Sequence, residues 1–412
     1  MKFNTIIIGG GLSALAAGIT LRKAGQQVAI ITAGESTLHF NGGSIDLLGY
    51  DVKGNAVEQP LQAIAELPET HPYHRVNDVE AKAIEAAALL KEAGYPMTGE
   101  ANHNQWRLTP IGLTKPTWLT TEGMVTCKEG GRLPWKSVTV VDIIGFLDAP
   151  LTFLIDNITK TGVKVERVSI STPQLSAARL SPSEMRATNL AKVLARPGAL
   201  NSLANALNNL SPKGEVVLLP AVLGLEDPMM TAQLKRQVKH PLAIFATMPP
   251  SVPGVCLQNH LRRHFVKLGG TLLTNHTVTD GQLNNGHLAY VKTDRLVEEK
   301  LEAENFILAT GSFQSRGLRS DYTGITEPIF GLDVDVTEKR SDWTADYVFD
   351  DQPYMRFGVK TDDQLHVSKD GHTISNLYAA GAILSGNDPI RQADAEGVAL
   401  LTGLQAAHNI LK

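Results

Sequence analysis

An α/β fold is predicted by three observations in the sequence. The β-branched run Ile6-Ile7-Ile8 leads directly into Gly9-Gly10-Gly11 and then into an apolar stretch of helical spacing over 12–24, closed by Gly25. A second apolar strand follows at 28–31, so strand, helix and strand fit within about thirty residues, the length a βαβ unit needs. Far downstream two more strands run into glycine, one over 306–309 before Thr310-Gly311 and one over 377–380 before Gly381. Strands that alternate with helices and end in glycine turns are the pattern of a parallel sheet covered on both faces.

The remaining elements follow in order. Residues 3–21 carry no charge, which also suits an export signal or a short membrane span, but the glycine break after Ile8 favours a buried strand turning into a helix. Residues 39–48 begin Gly-rich and read as a loop entering a helix. The Ala- and Glu-rich segment 79–93 reads as a helix stopped by Gly94. From 106 to 135 Pro, Thr, Gly and Trp alternate with no clean period, and a second region begins there. In it we expect a strand over 138–144, a helix over 151–159, a strand over 163–169, a helical stretch over 188–210 and a strand over 215–219. A strand over 242–246, a Pro-rich passage, a helix over 256–268 and a strand from Thr271 return the chain to the first region, and a helix over 393–411 closes it. The expected partition is a discontinuous nucleotide-binding domain (1–100, 242–320 and 370–412) with an inserted α+β substrate or partner domain (101–241 and 321–369).

Composition narrows the function classes. Of 412 residues, 43% are hydrophobic and 19% charged, which is globular rather than disordered. A net charge of -4 gives no general attraction to nucleic acid or anionic lipid, so an anionic substrate must be met by local Arg or Lys. The two cysteines, Cys127 and Cys256, form no C-x-x-C, and two such thiols cannot hold an iron–sulfur cluster. They fit a reducing compartment and read as unreactive structural residues. Besides 3–21 no uncharged run approaches spanning length, and a cytoplasmic location is expected. No metal site is expected.

The chemistry begins with Gly9-x-Gly11-x-x-Ala14, placed between strand and helix as a dinucleotide fingerprint demands. Gly9 allows the tight turn, Gly11 the approach of a phosphate, and Ala14 close helix–strand packing, while amides from Leu12 onward face the phosphate oxygens. The second strand departs from the pattern: it ends at Thr32, where an acidic residue usually holds the adenosine ribose, and the nearest carboxylate is Glu35. Either Glu35 reaches back or adenosine is held weakly, and a mononucleotide flavin would not need it. Thr310-Gly311 and Gly381, in that order after the first motif, match two-dinucleotide-binding flavoproteins, in which the last glycine and its helix direct a positive dipole at the flavin. In His39-Phe40-Asn41-Gly42-Gly43-Ser44, Gly42 and Gly43 can pass close to a flat ring and Ser44 can bond its edge; the alternative is a plain loop with Ser44 as a helix cap.

Several stretches together resemble a known family. Ile6 to Leu12, Leu38-His39-Phe40 with Gly43 to Leu48, Trp106-Arg107-Leu108-Thr109-Pro110-Ile111-Gly112 through Thr117-Trp118-Leu119, and Asn376 to Gly381 through Asp388-Pro389 and Gly397-Val398-Ala399 are similar to the B subunit of anaerobic glycerol-3-phosphate dehydrogenase. The resemblance runs from end to end. It implies a three-subunit enzyme oxidising sn-glycerol 3-phosphate to dihydroxyacetone phosphate, with electrons passing to a membrane quinone and on to fumarate or nitrate. It implies a partner A subunit with FAD, a C subunit with iron–sulfur clusters and the membrane attachment, and FMN (FAD as the alternative) in the B subunit, with Gly397 and Val398 on its cofactor side.

Such an oxidation needs a base for the C2 hydroxyl, a flavin to take the hydride, and cations for the phosphate. His39 is the candidate base, or else a structural histidine. Arg356 and Arg391 are the candidate phosphate or flavin partners, or else ordinary ion-pair residues, and Lys115 is a weaker candidate. Other readings are a relay or scaffold subunit that does no substrate chemistry, and a free-standing fumarate-reductase-like or ketosteroid-type flavoprotein. Exposed apolar residues in 106–135 offer a docking face.

Overall fold

Strand β1 (Lys2–Ile8) forms because Ile6, Ile7 and Ile8 are buried on both faces, and it passes through Gly9-Gly10-Gly11 into helix α1 (Leu12–Lys23) and strand β2 (Val28–Thr32). The computed structural model describes residues 1–127 and 129–412. The chain continues through β3 (Gln105–Leu108), β4 (Thr114–Thr117), β5 (Thr126–Cys127), β6 (Ser137–Ile143), β7 (Lys164–Ile170), β8 (Val216–Pro220) and β9 (Leu242–Phe245). After helix α2 (Val252–Lys267) come β10 (Thr271–Thr274), β11 (Val278–Asn284), β12 (His287–Thr293), β13 (Leu301–Leu308), β14 (His366–Lys369), β15 (His372–Ala379) and helix α3 (Ala395–Ile410). These elements fall into two compact units: residues 1–37, 46–93 and 261–412 form the first, and residues 38–45 and 94–260 the second.

The first unit is a sheet in the order β10-β2-β1-β13-β12-β11, with β15 also paired to β13 and β14 to β15. β1 lies in parallel between β2 and β13, Ile7 opposite both Ile30 and Ile307. The parallel strands therefore end along one edge, which carries Gly9-Gly10-Gly11 after β1, Thr310-Gly311 after β13 and Gly381 after β15. Ligands of open α/β sheets bind at that carboxyl edge.

The second unit has its own parallel sheet, β7-β6-β8-β9. Alternation along β6 divides its core: Val138 and Val140 pack with Leu154, Ile158 and Phe245, while Val141 and Ile143 pack with Leu203, Leu219 and Ile244. A small antiparallel sheet, β4-β3-β5, holds the block around Trp106.

Several expectations need correction. Residues 39–48 enter no helix: a short 3₁₀ turn, Thr37–Phe40, is followed by a two-residue strand, Ser44–Ile45, because Ser44 and Ile45 pair with Thr120 and Leu119. Ser44 is thus a strand residue and caps nothing. The stretch 188–210 is two helices, Ala187–Leu194 and Ala199–Asn208, broken where Pro197-Gly198 cannot continue a helix. The closing helix begins only at Ala395, since Ala393 takes a left-handed φ of 49°. Residues 321–369 lie in the first unit, because β14 pairs with β15 and Val359 bridges Leu384. Residues 242–260 lie in the second, because β9 pairs with β8.

Candidate functional site

In the first unit the glycine turn is a cradle. Gly9 has φ +121° and sits so close to β13 that a Cβ there would lie 2.1 Å from the Ala309 carbonyl oxygen. Gly10 is covered by the Thr32 side chain, whereas a Cβ on Gly11 would meet nothing within 4 Å. Gly11 is the N-cap of α1 and has no side chain to cap that end, and no acidic residue stands in the first turn, so among the described residues the leading amides, Leu12 and Ala14 among them, have no capping side chain. Buried Ala14 supplies the close helix packing. Across the same edge the Thr310 hydroxyl is buried and finds no hydrogen-bond partner among the described residues. An open glycine, a bare helix start and an orphaned hydroxyl together fit the phosphate end of a nucleotide cofactor.

The end of β2 is arranged differently from a ribose clasp. Thr32 Oγ1 donates to the Gly34 carbonyl at 2.8 Å, and Glu35 is ion-paired with Arg262 Nη1 at 2.8 Å. Glu35 is therefore turned to helix α2, where Arg262 is mostly buried.

The downstream glycines serve packing. Gly311 leaves a Cβ only 2.2 Å from Ser315 Oγ, and Gly381 leaves one 2.5 Å from Ser13 Oγ while its amide donates to Thr402 Oγ1. Gly397 donates its amide to the Asp46 carbonyl, and Val398 donates to the Asp394 carbonyl. A Cβ on Gly397 would stand 2.2 Å from the Tyr73 hydroxyl. The expected positive helix end is thus closed by the chain itself: Asp46 occupies the Gly397 amide, and buried Asp394, the N-cap, is hydrogen-bonded by His71 Nε2 at 2.9 Å and Asn387. His71 Nδ1 accepts from the Tyr73 amide, so its Nε2 carries the proton toward Asp394. Burial, and secondarily the charge of Asp394, pushes the Tyr73 phenol well above its ordinary range.

Arg356 and Arg391 sit at the surface of the first unit around one carboxylate. Arg356 Nη2 pairs with Asp351, Arg391 Nε lies 3.9 Å from the same oxygen, and the three side chains are 39%, 45% and 51% exposed. That is the ion-pair alternative for both arginines.

His39 belongs to the second unit. Its Nε2 lies 3.1 Å from the Gln258 amide nitrogen, and its carbonyl accepts from the Ser251 amide. Asn41 Nδ2 donates to the Ser44 carbonyl and Asn41 Oδ1 accepts from Gly43, while Ser251 Oγ donates to the Asn41 carbonyl. The Gly42-Gly43 loop is therefore a braced structure, not a slack one. Beside it lies Arg107, which sequence alone does not single out as a site residue. A Cβ on Gly42 would stand 3.5 Å from both Ala246 Cβ and Arg107 Nη1, and Arg107 Nε and Nη1 are buried without a partner among the described residues. The signal was present: one arginine inside the strand Gln105-Trp106-Arg107-Leu108, with Lys115 directly opposite it.

In the 106–135 block Trp118, Leu108, Leu119 and Val125 are buried, and the exposed apolar residues are Ile111 and Leu113, a narrower face than expected. A pocket of the second unit, bounded by Tyr95, Met124, Val222, Ile244 and Cys256, is also lined by Thr121 and Pro253, the two residues against which Gly43 packs. Burial pushes the Cys127 thiol up to about 12. Among the described residues no group of three or more His, Cys, Asp or Glu is placed to hold a metal, and no helix is long and apolar enough to cross a membrane.

A glycine turn and an uncapped helix at the carboxyl edge of a parallel sheet define a nucleotide-binding α/β protein, and the family model described as FAD binding domain matches residues 4–398. Relatives match along their whole length. The chain is 38% identical to the B subunit of anaerobic glycerol-3-phosphate dehydrogenase from Yersinia enterocolitica, with 100% of this chain and 98% of that protein covered. It is 33% identical to the protein of the same name from Vibrio vulnificus, with 100% and 97% covered. The chain therefore belongs to the family of anaerobic glycerol-3-phosphate dehydrogenase B subunits. Among solved structures, a 3-ketosteroid-delta4-(5alpha)-dehydrogenase from Rhodococcus jostii RHA1 aligns over 100% of this chain and 97% of that one, at 11% identity and a TM-score of 0.41.

Proposed function

We propose that the chain is the flavin-carrying subunit of a dehydrogenase complex that oxidises sn-glycerol 3-phosphate to dihydroxyacetone phosphate and delivers electrons to a membrane quinone. The observation that carries the reading is the cradle of the first unit, open at Gly11 and without a capping side chain at α1 among the described residues, on the sheet edge that also carries the orphaned Thr310 hydroxyl. Full-length likeness to proteins named as B subunits favours a complex over a free-standing flavoprotein, with an FAD-bearing A subunit and an iron–sulfur C subunit that provides the membrane attachment. Location is then the cytoplasmic face of the inner membrane, reached through a partner.

Bound in the cradle, flavin supplies a two-electron acceptor for hydride. The chain's residues do the rest. Gly9, Gly11 and the first amides of α1 would hold its phosphate, and the Thr310 hydroxyl would be a further candidate donor. Thr32 bonded to its own turn and Glu35 paired with Arg262 favour FMN, which needs no ribose carboxylate, over FAD. His39, its ring steadied by Gln258, is the candidate to take the C2 hydroxyl proton. The Gly42-Gly43-Ser44 loop is the candidate contact for the ring edge.

A relay role without substrate chemistry is the second reading, favoured by the exposed pairing of Arg356 and Arg391 with Asp351. In the assembled complex His39→Ala lowers turnover if the subunit is catalytic and leaves it unchanged if it relays. The flavin itself is tested by the absorption spectrum of the purified chain and chromatography of the heat-released ligand. FMN is expected. A chain that stays colourless after reconstitution with FMN, FAD and the partner subunits would overturn the reading.

A further inference from the structure

Residues 345–351 of the first unit make a tight turn whose tip is apolar. The Asp350 amide donates to the Tyr347 carbonyl at 2.9 Å, which places Val348 and Phe349 at the two central positions. Turns usually put Gly, Asn, Asp or Pro there, because those residues suit the sharp bend. Here Val348 is 79% and Phe349 92% exposed, and Tyr347 is exposed as well. Ile390, next to Arg391 in the short helix Pro389–Gln392, adds a further exposed apolar side chain. Neighbouring aromatic rings are treated differently: Trp343 packs edge-on against Phe357, and Tyr354 against Phe313.

The apolar tip is also held in one conformation. Gln352 spans the turn, its Nε2 donating to the Tyr347 carbonyl at 2.8 Å and its Oε1 accepting from the Ala345 amide at 3.0 Å. Arg391 Nη2 donates to the Phe349 carbonyl at 3.2 Å, and Arg356 secures the end of the turn through Asp351. The two arginines that the sequence offers as substrate partners therefore brace this turn. An aromatic tip already fixed in place loses little entropy when a partner covers it, and such anchors carry much of the energy of an interface.

The flanks indicate what covers it. Over 341–351 the chain carries four aspartates and no lysine or arginine. Arg356 answers Asp351, whereas Asp346 and Asp350, on either side of the tip, are exposed and have no ion-pair partner among the described residues. Carboxylates beside the tip oppose contact with an anionic membrane surface and favour a protein surface edged with Lys or Arg. A two-fold contact between copies of this chain would set the same carboxylates against each other.

We propose that the turn 345–351, with Ile390, docks into an apolar hollow with a basic rim on another subunit of the dehydrogenase complex. This rests on the reading above in taking that complex as the source of the partner.

The full chain is titrated against the purified A and C subunits, and the dissociation constant is measured for wild type, Phe349→Ser and the double variant Asp346→Lys/Asp350→Lys. Phe349→Ser weakens association with one of them roughly tenfold or more. The charge reversal also weakens it and slows the association rate, and added salt weakens the wild type more than the reversed variant. Both variants keep the wild-type thermal midpoint, because the altered side chains lie in solvent. Unchanged or tighter association in either variant overturns the proposal and leaves the complex reading standing. So does a wild-type dimer that Phe349→Ser splits, or flotation with phosphatidylglycerol vesicles that Phe349→Ser abolishes, since the occupant is then a second copy or a lipid surface. A wild type that binds neither subunit sinks the complex reading, and the proposal with it.

Discussion

At Gly9 the backbone has φ +121° and lies against the Ala309 carbonyl, so Gly9→Ala adds both left-handed strain and a 2.1 Å collision. We expect it to cost about 1–3 kcal/mol or more in the denaturant midpoint, with flavin retention lost alongside. Thr310 gives the opposite sign. Its hydroxyl is buried and unanswered among the described residues, so Thr310→Val leaves the flavin-free midpoint unchanged or raises it, yet weakens flavin retention in equilibrium dialysis. Cys127 makes a prediction about pH. Burial holds its thiol at about 12, above the value of an unfolded cysteine, so it is protonated in both states below about pH 8.5 and contributes no pH dependence there. From there upward the unfolded thiol ionises first, and stability falls as pH rises toward the folded value. Cys127→Ala flattens that alkaline decline, and at neutral pH the folded wild type alkylates far more slowly than the unfolded chain.

Gly9 was legible because its spacing, neighbours and conformation all serve one local turn. Arg107 was not, because its burial and its lack of a partner depend on β4, β5 and a loop sixty-odd residues earlier, none of which is local in sequence.

Among elements, α3 shows the same division. Its existence followed from composition, but not its start or what occupies it. Ala393 breaks the helix, and the Gly397 amide is taken by Asp46 rather than left for a ligand. Buried His71 and Asp394 secure that end, with Tyr73 donating its hydroxyl to the Leu47 carbonyl close by. His71→Ala removes a donor from a fully buried carboxylate and should cost about 1–3 kcal/mol, visible as faster amide exchange in the first turns of α3. Gly397→Ala should have a comparable effect by displacing Tyr73, and exchange as slow as wild type in either variant would show that this end of α3 is held elsewhere. The break at Pro197-Gly198 was readable in principle, since both residues forbid a continuous helix.

For the whole molecule, the parallel sheet and its glycine edge were legible because each strand declares itself by its own apolar run. The division into units was less so. Residues 321–369 carry few apolar runs, and only their pairing with β15 and Leu384 assigns them to the first unit. The four-stranded sheet of the second unit has its own core on both faces, and hydrogen exchange under mild denaturant should show β6, β7, β8 and β9 opening together. Independent opening of β9 would argue that it belongs with the elements after it.

The pairing of β1 also has a consequence for synthesis. Its neighbours are β2, which follows at once, and β13, whose first residue is Leu301. At roughly 5–20 residues per second a ribosome needs about 15–60 s to reach that strand, and until then the buried isoleucines of β1 lack one of their two partners. The sheet formed by β6 to β9 is complete well before then, so the nascent chain carries a finished second unit while its own beginning still waits with a sticky edge. A chaperone that recognises short apolar strands would find its target at β1, released only when β13 arrives.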